Sequence, residues 1–376
     1  MRITEKFREF CRENLKLMEK TLEELSEISS FTGEEKTRAE YCRAWLESHG
    51  VNDVFRDEAG NVVWRYQKES EIQYLFTAHL DTVFPAEIPR KVKKEGTIWS
   101  CPGIGDNTVH VMLLMMGMFY LSKSGQRLPY GLILALDTEE EGLGNLSGCR
   151  KLMDTYGSAI QGVLVLDLYR DKLYTKCVGS IRYKIEVSTM GGHSYLDFGR
   201  KNAIAELSEL IGELYDLPTG SSSHTTCNVG TIRGGTSVNT IAAKAEMLFE
   251  YRSDSYLELK ACEERMQRIL KSRQSKEVMY SCLLLGKRPC AEGVDADKLS
   301  ELAELCREIV EEFSGTVPEE ADASTDCNIP LSLGIPSVCV GLCRGAGAHT
   351  EGEWLDISTL SGGLSGLLAL LCSLPL

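Results

Sequence analysis

The chain has 376 residues, and 41 Lys+Arg against 55 Asp+Glu leave a formal net charge of −14. At roughly 150 residues per domain that length accommodates about two domains. The acidic balance excludes a nucleic-acid or anionic-membrane binder, which needs a basic face. The 14 cysteines include no Cys-x-x-Cys pair and read as free thiols packed as small hydrophobes in a reducing cytoplasm.

From residue 4 to 28, Phe7, Phe10, Leu15, Met18, Leu22 and Leu25 recur at three- and four-residue steps. The spacing predicts one amphipathic helix, and MRITEKFREFCREN reads as its start rather than as a secretory signal. Thr32-x-x-Glu35 offers a capping box for a second helix through about Leu46. Short apolar runs follow, alternating with helical patterns: YLFTA (74–78), LILAL (132–136), VLVL (163–166) and SVCV (337–340). They predict buried strands of a doubly wound, mainly parallel sheet with helices on both faces. Residues 180–290 differ. Alternating strands and charged helices there give a β-α-β-β-α-β order, a ferredoxin-like α+β unit inserted into a discontinuous domain of residues 1–179 and 291–376. The last apolar stretch, Leu360 to Leu376, reads as a core helix too interrupted to span a membrane.

Each apolar strand runs into a metal-capable or acidic group. YLFTA leads to His79 and Asp81, LILAL to Asp137-Thr138-Glu139-Glu140-Glu141, VLVL to Asp167, and SVCV to the loop GAGAHTE with His349. Ligands of open α/β sheets bind outside the carboxyl ends of the strands, so these groups should converge. Each has a plainer reading. His79-x-Asp81 is also a turn with a satisfied histidine, although an acid beside a histidine can fix its ring. Asp106 in CPGIGDNT would by default cap the helix with the stripe Val109, Met112, Leu113, Met116 and Phe119. The acidic run at 137–141 would normally be solvated. Held against a strand, its like charges call for cations. Two histidines, at least three carboxylates and no cysteine suit Zn²⁺, with Mn²⁺ or Co²⁺ as competitors. GLGNLSG (142–148) misses the dinucleotide spacing by one, and no nucleophile elbow or Walker loop is present.

These residues resemble the two-zinc metallopeptidases and deacylases grouped with peptidase T, carboxypeptidase G, aminoacylase and acetylornithine deacetylase. The matching segments, in the family's order, are FTAHLDTV (76–83), GIGDNT (103–108), EEEGLGNLSG (139–148) and VLDL (165–168), then GGHSYLDFGRKNAI (191–204), GGTSVNTI (234–241), STDCNIPLSLGIPSV (324–338) and GAGAHTEGEWLDI (345–357). The resemblance implies that Asp106 bridges two divalent cations. It places His79 and Asp167 at one cation and Glu141 and His349 at the other. Asp81 would orient His79, and Glu140 would be the general acid/base, with Glu139 one position too early. A cis peptide is expected at Asp106–Asn107. In the inserted unit, His193 would polarise the substrate carbonyl, often across a dimer formed by this lid. Asn239 and Arg252 would hold the substrate's carbonyl and carboxylate, although an arginine at a strand end is often a surface-paired one. His110 stands where many relatives have glycine, and reads as packed.

The resemblance thus implies a cytoplasmic, homodimeric hydrolase of amide bonds in small peptides or N-acyl amino acids. A bridging water with its pKa lowered toward ~7 would attack, and Glu140 would carry its proton to the leaving amine. An N-acyl amino-acid deacylase is the alternative within the family. A two-metal phosphoesterase lacks basic residues in the strand-end motifs, and a non-catalytic metal-binding scaffold would not need Glu140.

Overall fold

The computed structural model describes residues 2–216 and 224–375. Residues 217–223 of the expected inserted unit and the final Leu376 lie outside them. The chain divides into two compact units, one of Met1–Cys177 with Glu292–Leu376 and one of Val178–Ala291.

The larger unit is built on an eight-stranded sheet. From one edge its strands are Phe55–Arg56, Val62–Tyr66, Gly131–Asp137, Gln73–His79, Ile160–Leu166, Ser337–Val340, Lys172–Cys177 and Glu319–Ala323. The four central strands run parallel. Antiparallel pairing enters at the flanking strands Val62–Tyr66 and Lys172–Cys177. Gln73–His79 and Gly131–Asp137 are buried at every position, which is why their sequences are continuously apolar rather than alternating. One face is covered by the helices Val109–Ser124, Ala296–Ser314 and Leu360–Cys372, and the other by Ser147–Tyr156 and Asn328–Ser332. In register, His79 stands opposite Asp137, and Leu166 opposite Val340, so the groups after these strands open on one side of the sheet.

Four local expectations are corrected. The amphipathic stretch of residues 4–28 forms two helices, Arg2–Glu13 and Leu15–Glu27, parted at Asn14. Its side-chain amide bonds the carbonyl of Phe10, four residues back, a local bond that competes with the helix. The capping box does not form: Lys36–Ser48 is helical, but neither Thr32 nor Glu35 caps it. Asp106 does not cap the next helix either: the N-cap position is Thr108, with no side-chain cap bond, and both Asp106 oxygens face histidines instead. Lastly, Val109–Ser124 has no polar face. Within Ile104–Ser124, the one helix among the described residues long and apolar enough to cross a membrane, 94% of the apolar window is buried in the protein. Met112, Met115, Met116 and Met118 are packed core. All 14 cysteines are free thiols, eleven of them buried.

The smaller unit is an antiparallel sheet in the order Thr225–Gly234, Lys244–Ser253, Gly179–Thr189, Val278–Arg288. Ile181, Tyr183, Ile185 and Val187 alternate onto one face and pack with the helices Ala203–Tyr215 and Tyr256–Arg273. Asn202 and Ser255 cap those helices by accepting first-turn N–H groups.

Candidate metal centre

His79 ends its strand fully buried, and its Nε2 lies 3.1 Å from Asp106 Oδ1 and 3.6 Å from Asp167 Oδ1. The other Asp106 oxygen, Oδ2, lies 3.2 Å from His349 Nε2, which is 2.8 Å from Glu141 Oε1. One aspartate therefore presents its two oxygens to two histidines, and each histidine has a second carboxylate beside it. The peptide between Asp106 and Asn107 is cis. His79, Asp106 and Glu141 each offer a ligand atom within 4.8 Å of the others, the one such group of three or more among the described residues.

The charges show what this cluster can hold. Burial opposes a charged ring at His79, yet Asp167 and Asp106 overcome it and hold its pKa well above the ordinary value. Hydrogen bonds to Asp106 and Glu141 push His349 up to about 11. Burial pulls Asp106 up, but the two histidines bring it below the usual carboxylate range. Burial, and then the charge of Asp106, raise both Asp167 and Glu141. Three carboxylates thus crowd two imidazoles, and the site calls for positive charge. Divalent cations fit that need, and nitrogen and oxygen donors without thiolate suit Zn²⁺, Mn²⁺ or Co²⁺.

Asp81 organises more than its neighbour's ring. His79 Nδ1 lies 3.0 Å from the Asp81 backbone carbonyl and 3.5 Å from the carboxylate. That carboxylate accepts hydrogen bonds from the N–H groups of Glu140 (3.0 Å) and Glu141 (2.8 Å) and from the Thr32 hydroxyl (2.9 Å). Asp81 therefore fixes the Glu140–Glu141 pair from below. Burial works against its charge, but His79 and the two N–H groups keep its pKa lowered.

The acidic run divides into three environments. Glu140 and Glu141 are buried at the centre. Glu139, with φ of 58°, turns its carboxylate away to accept from the Ser147 hydroxyl. Gly144 lets the chain fold back over it, since a Cβ there would meet the Glu139 carbonyl oxygen at 2.4 Å. Asp137 is fully buried, and none of its oxygens or those of Asp326 meets a donor N–H or O–H from elsewhere. Burial raises Asp137 to about 6, and burial with the charge of Asp137 raises Asp326 well above its ordinary value.

Sequence reasoning missed several supports. Thr32 and Glu35, read as caps, serve the centre: Glu35 accepts from the N–H groups of Gly33 and Glu139. Arg38 is completely buried and donates to the carbonyls of Leu80, Leu25 and Ile28, clamping the segment after His79. Glu353, in the same loop as His349, takes four hydrogen bonds. A carboxylate four residues after a candidate ligand was the available signal. His110 is packed: its Nε2 accepts from the Leu342 N–H and its Nδ1 lies 2.6 Å from Asn107 Oδ1. Burial lowers its pKa to about 3.

In the smaller unit, Gly192–His193 pairs with Thr240–Ile241, and the Ser194 N–H bonds the Asn239 carbonyl at 3.1 Å, so His193 and Asn239 are neighbours. His193 Nδ1 accepts from the N–H groups of Tyr195 and Leu196, both at 3.3 Å. That places the ring proton on Nε2, where it can be donated. Arg252 binds Glu250 through Nε (2.9 Å) and Nη2 (3.3 Å), and is 40% exposed.

A family profile described as Peptidase dimerisation domain matches residues 176–278, and one described as Peptidase family M28 matches residues 61–188. A probable carboxypeptidase of Ajellomyces dermatitidis is 23% identical over 257 residues, 59% of this chain. The chain spans just over half, 57%, of that relative's length. Among solved structures, aminopeptidase PepT from Bacillus cereus superposes with a TM-score of 0.73 at 18% identity, covering 95% of this chain and 98% of that one. The M20 family metallo-carboxypeptidase Sso-CP2 from Sulfolobus solfataricus gives 0.77 at 14% identity over 94% and 98%. Identities this low establish a shared fold.

Proposed function

We propose that the chain is a metallopeptidase that hydrolyses an amide bond in small peptides, using two divalent cations, Zn²⁺ foremost. The observation that carries this reading is Asp106 facing His79 with one oxygen and His349 with the other. His79 and Asp167 would hold one cation, Glu141 and His349 the other, and Asp106 would belong to both. When bound, such cations acidify a water toward neutral pH and polarise a carbonyl.

The protein's own groups do the rest. Glu140 accepts the proton of the attacking water at its carboxylate and returns it to the leaving nitrogen. Its backbone N–H rests on Asp81, so the acid/base and the neighbouring ligand Glu141 are registered by one carboxylate. His193 donates its Nε2 proton toward the developing oxyanion, from its own subunit or, in a homodimer formed by the inserted unit, from the partner. Asn239 and Arg252 would hold the substrate's carbonyl and carboxylate, with Glu250 sharing the guanidinium until a substrate arrives. A small peptide is preferred to an N-acyl amino acid as substrate. The test is activity on a panel of dipeptides, tripeptides and N-acyl amino acids after loading with Zn²⁺, Mn²⁺ or Co²⁺. Turnover that survives complete removal of metal would sink the reading.

A further inference from the structure

Glu353 has none of the attributes of a surface acid. It is fully buried, and no lysine or arginine is among its hydrogen-bond partners. One oxygen, Oε2, accepts from the Gly103 N–H at 2.7 Å. The other, Oε1, accepts from the N–H groups of Gly105 (2.9 Å) and Asp106 (2.7 Å) and from the Tyr169 hydroxyl (3.0 Å). All four partners point donors at it, so the position calls for two accepting oxygens, a carboxyl rather than an amide.

The donors come from separate loops. Gly103, Gly105 and Asp106 belong to the turn before Val109–Ser124. Tyr169 lies two residues beyond Asp167, and Glu353 itself four residues beyond His349. The approach is close enough to exclude a side chain at residue 105, where a Cβ would lie 2.6 Å from Tyr169 Cε1 and 2.8 Å from Glu353 Oε1. We propose that Glu353 is a positioning residue: its buried carboxylate ties together the loops of Asp106, Asp167 and His349 and so sets where the shared aspartate stands. This rests on the metal reading of the centre. Because the Asp106 N–H is itself one of the bonds, any displacement of the carboxylate moves the residue that faces both histidines.

The experiment compares the full-length protein with E353Q, E353D and Y169F. Zn²⁺ affinity is measured against a competing chelator, and melting temperature on the metal-free protein. In E353Q an amide N–H₂ must face one of the N–H donors. Zn²⁺ affinity should fall at least tenfold while the metal-free melting temperature holds, and E353D should recover part of the loss. E353Q within twofold of the parent, or a loss matched by an equal loss of folded protein, overturns the proposal. If E353Q does not fold, Y169F decides: a two- to fivefold weaker affinity at unchanged melting temperature supports the tie, and unchanged affinity overturns it. A parent that takes up no Zn²⁺ counts against the metal reading alone. Hydrogen exchange at the Gly105 and Asp106 amides then tests the tie, since E353Q or Y169F should accelerate it and an unchanged rate overturns the proposal.

Discussion

The two units hold their candidate residues in opposite ways. Around the metal centre, His79, Asp81, Asp106, Glu140, Glu141 and Asp167 are buried, and Asp81 alone accepts three hydrogen bonds. In the smaller unit His193 and Asn239 are exposed, and Arg252 is half-exposed and held by one glutamate. Groups that carry bond-making chemistry need their geometry set before substrate arrives. Groups that recognise a substrate, or meet its developing charge only once it is bound as proposed for His193, can keep exposed side chains and are ordered by binding it.

The sharpest way to break this contrast is Glu140→Gln. Turnover should fall by on the order of 10⁴-fold, the upper end of what a positioned proton carrier contributes, with metal content by elemental analysis unchanged. Loss of metal together with activity would make Glu140 a ligand instead. Next is His193→Ala, which should lower kcat about 10²–10³-fold without touching metal affinity. Mixing it with Glu140→Gln sharpens the point, since activity returns only if the histidine serves a neighbouring subunit. Arg252→Ala should act on binding, raising KM about tenfold, ~1.4 kcal/mol, for substrates with a free carboxylate. Their amidated counterparts should be indifferent, and an equal effect on both would remove Arg252 from recognition.

The smallest effect concerns protons. His349, pushed up to about 11, contributes stability to the metal-free protein that is full below the ordinary value of about 6.5 and lost as pH rises through the folded value. A cation displaces that proton, so Zn²⁺ binding should release it and weaken as pH falls. Calorimetry in buffers of different ionisation enthalpy measures the release, and its absence would mean the ring is already neutral.

Much of this was legible in residue order. Continuous apolar runs identified the central strands because a strand buried on both faces has no polar side to alternate with. The acids and histidines immediately after those strands marked the candidate centre, and it was the family resemblance that separated Glu140 and Glu141 from Glu139. Misreadings arose where a short motif had two physical uses. Thr32 and Glu35 have the spacing of a helix cap, yet their side chains go to Asp81 and to the Glu139 N–H. Asp106 reads as a cap, yet its two oxygens go to His79 and His349 rather than to helix N–H groups.

By itself the sequence determined the local matters: which segments are the central strands and which residue types end each of them. These follow from periodicity and side-chain chemistry, which act between near neighbours. Only the tertiary structure decided which acids are buried side by side, as Asp137 and Asp326 are, and which oxygen of Asp106 faces which histidine. It also decided that Glu353, 247 residues along the chain from Asp106, accepts that residue's N–H. Charge and hydrogen-bond partners depend on distance in space, and chain folding brings together groups that no local spacing links.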